Sequence, residues 1–127
     1  MPSWDPNWED VVFDRAAAGT AAAECRSAAT VAREVRTGLD GARTAARQDW
    51  TGPYADDFDA EEPAVGADLD IVAGDLESLA SDLETASEDA RTEQGRREAD
   101  RERWREELVR ELAARDDALA RRGPIPQ

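Results

Sequence analysis

The chain has 127 residues with 16 arginines, no lysine, no histidine and 30 acids, for a formal net charge of −14 at pH 7. That length holds one domain, and no run of 18 or more apolar residues is present to cross a membrane, so membrane insertion is not expected. The acid excess argues against nucleic acid as a partner, the lack of His removes the commonest general base and metal ligand, and a lone Cys25 excludes an internal disulfide.

The opening, MPSWDPNWEDVV, has no basic segment followed by an apolar core, so no cleavable general secretory signal is expected. Asp5 can cap a helix and Pro6 suits its first position, which predicts a helix from Asp5 onward. Along it Cys25, Ala28, Ala32, Val35, Leu39, Ala42 and Ala46 alternate in steps of three and four, placing them on one seam. Small side chains there allow a close neighbour but bury little each. Cys25 on that seam is expected to pack as a small hydrophobe.

A second and stronger stripe, Val65, Leu69, Val72, Leu76, Leu79, Leu83, Ala86 and Ala90, keeps the same spacing through four heptads. Between the two lies DWTGPYADDFDAEE. Gly52 can take the positive φ that stops a helix and Pro53 can start the next, so the stripes predict two antiparallel helices joined by a turn at 50–53, an all-α αα-hairpin. Trp50 is expected to fill the closed end and to meet Phe58, which lies in phase with the second stripe. Pro63 predicts either a short helix over 53–61 followed by another, or one bent helix. Asp56, Asp57, Asp59, Glu61 and Glu62 lack the D-x-D-x-D-G spacing of a calcium loop and are expected to be solvated turn charge; no metal or cofactor is expected.

Charge divides the chain: residues 1–90 hold 6 Arg against 21 acids, and residues 91–127 hold 10 Arg against 9 acids. The stripe fails after Ala90, where positions 93, 97 and 100 are Glu, Arg and Asp. The segments predicted are therefore a hairpin over 1–92, a charged helical extension over 93–122 and a disordered tail over 123–127. On the extension, Trp104, Leu108, Leu112 and Leu119 form a short apolar strip that folds back or meets a partner.

Trp50, Thr51 and Gly52, set between two helical stripes and followed by Ala55 and Phe58, resemble the Trp-x-Gly turn of the WXG family, the ESAT-like helical hairpins exported by type VII secretion systems of actinobacteria and firmicutes. The resemblance spans about residues 6–120. It implies a non-catalytic protein, cytoplasmic before export and secreted without a signal peptide. Such a protein pairs with itself as a dimer, or with a sister protein, into a four-helix bundle. Many exported pairs carry a Tyr-x-x-x-Asp/Glu signal after the second helix of one partner. This chain has none: Tyr54 is followed at that spacing by Phe58, and Trp104 by Leu108. A second possibility is a cytoplasmic targeting module that docks on a larger secreted toxin. An enzyme is disfavoured, because a thin hairpin offers little concavity for a catalytic carboxylate pair.

Overall fold

The computed structural model describes residues 1–123. Among them the fold is all-helical and has two elements, α1 (Arg15–Arg47) and α2 (Pro53–Arg121), which pack against each other as a helical hairpin. The chain forms two compact units, one of Asp14–Ser87 and one made by Met1–Phe13 with the chain from Glu88 on, and α2 contributes to both. This grouping draws the first 13 residues away from the hairpin expected over 1–92. Of the tail expected to be disordered, residues 124–127 lie outside the described residues.

α1 begins at Arg15, nine residues later than an Asp5 cap and a Pro6 start suggest. Asp14 is the N-cap: its carboxylate accepts from the Ala17 backbone N–H at 2.9 Å and its carbonyl from Ala18 at 3.0 Å. α1 ends at Arg47, and Gly52, with φ +112°, leads into Pro53 at the start of α2. α2 is one continuous helix, so of the two arrangements Pro63 suggested, a break before Glu62 is not what forms. Pro63 has no N–H for the Asp59 carbonyl, and the loss of one bond is absorbed within a 69-residue helix.

The core of the hairpin is built from alanine. Ala18, Ala22, Ala29 and Ala32 of α1 and Ala55, Ala73 and Ala80 of α2 are buried, and no large side chain is fully buried among the described residues. Each methyl contributes on the order of 0.8 kcal/mol, where a buried leucine contributes about 1.5–3. The helices therefore approach closely at modest gain. At Gly66 the Arg36 side chain lies over the backbone: a Cβ there would be 2.5 Å from the guanidinium.

The buried positions show that the seam is offset by one residue at every second step from the stripes read in the sequence. On α1 it follows Cys25, Ala29, Ala32, Arg36, Leu39 and Arg43; on α2 it follows Gly66, Leu69, Ala73, Leu76, Ala80 and Leu83. Leu39, Leu69, Leu76 and Leu83 are half-buried on it as expected. Ala28, Val35 and Ala42 on α1, and Val65, Val72, Leu79 and Ala86 on α2, are exposed instead. The reason is electrostatic as well as steric. Arg26 pairs bidentately with Glu84 and Arg33 with Glu77, which draws the contact toward the flank that carries them.

In the other unit, residues 1–13 lie along the C-terminal half of α2. The Arg101 side chain donates to the Asn7 carbonyl at 2.9 Å, the Glu9 carbonyl at 2.7 Å and Asp10 at 2.8 Å. Arg97 donates to the Glu9 carbonyl at 3.1 Å, and the Val11 N–H donates to Gln94 at 2.8 Å. Backbone carbonyls engaged this way are not available to a helix ladder, which accounts for the late start of α1.

Candidate functional site

The hairpin has two unlike flanks. On one, each ion-paired residue immediately follows a seam residue: Arg26 after Cys25 and Arg33 after Ala32 on α1, Glu77 after Leu76 and Glu84 after Leu83 on α2. These pairs bring that flank of each helix together. The residues that immediately precede the alternate seam positions therefore meet on the opposite flank, by the same seven-residue repeat. These are Ala28, Val35 and Ala42 on α1, facing Phe58, Val65, Val72 and Leu79 on α2.

At the turn end of this flank the two rows line a common groove of ≈ 450 Å³, bounded by Leu39, Ala42, Ala46, Phe58 and Val65 with the charged Arg43, Glu61 and Glu62. Further along, Val35, Val65, Val72 and Leu79 are 47–49% exposed. Four aliphatic side chains of the hairpin thus stand half out of the seam, which alanines and half-buried leucines fill. Such a contiguous row is unlike the scattered apolar residues of an ordinary surface.

Further ion pairs join the helices along the other flank and across the seam. Arg36 donates to Asp70 at 2.8 Å and lies 3.3 Å from Asp40. Near the turn, Arg47 reaches Asp59 at 2.8 Å and Asp56 at 3.8 Å, and Arg43 reaches Glu62 at 3.3 Å and Asp59 at 3.6 Å. Three of the five acids expected to be solvated are therefore taken up by arginine, and Glu62 is buried. The hydrogen bonds from Arg33 and Arg26 hold the Glu77 and Glu84 carboxyls below their ordinary range. Exposed pairs of this kind are individually worth at most about 1 kcal/mol; here they select which flank closes.

Trp50 meets Phe58 as expected, ring centroids 5.5 Å apart and tilted by 50°, but it is 37% exposed, so it covers the end of the groove without being buried in it. Its carbonyl accepts from Arg47, and Gly52 lies two residues on in the positive-φ region. Cys25 is half-buried on the seam.

The strip on the extension is partly covered by the chain itself. Trp8 packs edge-on against Trp104 at 5.4 Å, Trp4 donates from its indole to Glu107 at 2.6 Å, and Arg103 sits 4.6 Å over the Trp4 ring. Leu108 is half-buried, while Leu112 and Leu119 remain about half exposed. Hydrogen bonds from Gln94 and Arg101 lower the Asp10 pKa, and those from Arg96 and Arg97 lower that of Glu93 to about 2. The sequence did carry a signal for this contact: two tryptophans four apart among prolines, opposite a run of arginines over 96–105.

Comparison of the chain with protein-family models, characterised proteins and solved structures gives no match. The geometry alone therefore speaks to function. Among the described residues no helix is long and apolar enough to cross a membrane.

Proposed function

We propose that this chain is a non-enzymatic interaction protein whose hairpin is completed by other helices into a four-helix bundle, and that it serves as a type VII secretion substrate or as the partner of one. The observation that carries this is the exposed row Val35, Val65, Val72 and Leu79 beside a seam whose fully buried residues are alanines: apolar side chains with burial energy still to give are left for a second surface.

The Trp50-Thr51-Gly52 turn, with Phe58 against Trp50, supports assignment to the WXG type and hence export without a signal peptide. The lack of a Tyr-x-x-x-Asp/Glu pattern favours a partner that supplies the signal. A module that stays in the cytoplasm and docks on a larger toxin uses the same surface.

The test is the chain's location and mass. Expressed in an actinobacterial host with and without an intact type VII apparatus, the chain is expected in the medium only with the apparatus. In light scattering it is expected to form a stoichiometric complex with a sister hairpin. A chain that stays in the cell and co-purifies with a larger substrate selects the docking module, and a well-folded monomer that binds neither refutes both.

A further inference from the structure

The outer edge of the exposed flank differs sharply between the two helices. On α2, the residues one step outward from Val65, Val72 and Leu79 are Glu61, Asp68, Asp75 and Asp82, a row repeating every seven residues. All four are exposed and, among the described residues, none forms an ion pair. Other acids at that end of the hairpin, Asp56, Asp59, Glu62, Asp70, Glu77 and Glu84, are each held by an arginine of α1. On α1, the corresponding outward positions are Glu24, Val31, Gly38 and Ala45: the last three carry no charge, Val31 is 56% exposed, and Glu24 is an exposed acid at the far end of the row. The flank is therefore an apolar strip with one edge that is neutral over residues 31–45 and one free acidic edge.

From this the geometry points to a specific occupant: an α-helix of a different protein, about 21–25 residues long, with an apolar heptad face bordered by arginine or lysine on one side. The inference rests on the hairpin being an interaction module and names the chemistry of its partner. Phe58 to Leu79 spans 21 residue steps, about 32 Å of helix at 1.5 Å per residue, which sets the length.

Charge excludes a second hairpin as the better fit. Residues 14–87 hold 6 Arg and 16 acids, and five of those arginines, Arg26, Arg33, Arg36, Arg43 and Arg47, are already tied to acids within the hairpin. The hairpin of a second copy brings only Arg15 untied, along with the same acidic row, so a like-charged rim faces itself; of the ten arginines after Ala90, six (Arg96, Arg97, Arg101, Arg103, Arg105 and Arg121) are likewise held by acids. A basic edge answers the row and fixes the partner's direction along the groove, as complementary charges do at interfaces.

The test uses the full-length chain and two synthetic four-heptad helices identical in their apolar face, one edged with arginine and one with glutamate at the same positions. Binding is read by fluorescence anisotropy at two salt concentrations, and the chain's own mass by sedimentation equilibrium. The expected result is a monomeric chain that binds the arginine peptide about ten-fold or more tightly than the glutamate peptide, with the preference shrinking at high salt. Asp68→Asn/Asp75→Asn/Asp82→Asn should abolish the preference, and Val72→Ser/Leu79→Ser should weaken binding of both peptides, with helicity by circular dichroism unchanged. Equal binding of the two peptides overturns the inference. So does a homodimer that Val72→Ser/Leu79→Ser dissociates, which would leave the interaction reading intact with a second copy as occupant. A monomer that binds neither peptide overturns both.

Discussion

Position 72 and its neighbour 73 offer a crossed pair of substitutions whose costs depend on which of them faces the other helix. Val72 is 48% exposed. Val→Ala there removes two methyl-sized groups, about 1.6 kcal/mol if fully buried and so about 0.8 at half burial, and the better helix propensity of alanine returns about 0.5. The expected net cost is about 0.3 kcal/mol. Ala73 is fully buried against Ala29, Ala32 and Leu76, so Ala73→Leu adds three carbons where the helices are close and should cost about 1–3 kcal/mol through forced separation. The assay is urea unfolding of the full chain followed by circular dichroism at 222 nm. Val72→Ala should leave the midpoint almost unmoved and Ala73→Leu should lower it clearly. The reverse ordering would place Val72 in the seam and refute the offset on which the exposed flank depends.

Trp50→Ala should cost about 1–2 kcal/mol in the same assay, less than for a buried ring, because only the contact with Phe58 and part of the surface are lost; a cost above 4 would show the ring buried. Gly52→Val and Gly52→Asn should both lower the melting temperature, because φ +112° lies beyond the left-handed well that asparagine tolerates; equal stability of Gly52→Asn and wild type would contradict the turn geometry. Asp10 and Glu93 titrate below their unfolded values, so their stabilising effect is full above about pH 4–5 and fades as pH falls, for Glu93 toward pH 2. Because Asp10 is the group bonded to Gln94 and Arg101, tryptophan fluorescence should report loosening of residues 1–13 only as pH falls through the carboxylate range, and release already at pH 6 would deny those hydrogen bonds a role. A fragment of residues 14–87 should stay helical and unfold cooperatively with Trp50 as its sole tryptophan, whereas a non-cooperative transition would show that the hairpin needs the other unit.

Much of the architecture was legible because the relevant signals are local. Gly52 and Pro53 mark the join of α1 and α2, and Leu69, Leu76 and Leu83 mark every seventh position of the α2 seam. The alternate positions were not legible. Hydrophobicity favours Val35 over Arg36, Val65 over Gly66 and Val72 over Ala73, but the structure buries the second member of each pair or more of it. Close approach rewards small residues, and cross-helix pairs such as Arg33–Glu77 fix the rotation of each helix, neither of which one helix's periodicity reveals. Asp5-Pro6 is a sound local start signal overridden by non-local bonds from Arg97 and Arg101. The candidate surface emerged from this discrepancy, since Val35, Val65, Val72 and Leu79, assigned to the core, are left exposed.

The most direct measurement of the central claim is the alkylation rate of a thiol placed on the flank. With Cys25→Ser removing the native thiol, Val72→Cys should react nearly as fast as a free cysteine in the chain alone, while Ala73→Cys is strongly protected. Adding the arginine-edged helix should slow the reaction at position 72 about ten-fold or more and leave position 73 unchanged. A Val72→Cys thiol already protected in the isolated chain, or one whose rate ignores the added helix, would contradict a flank left open for a partner.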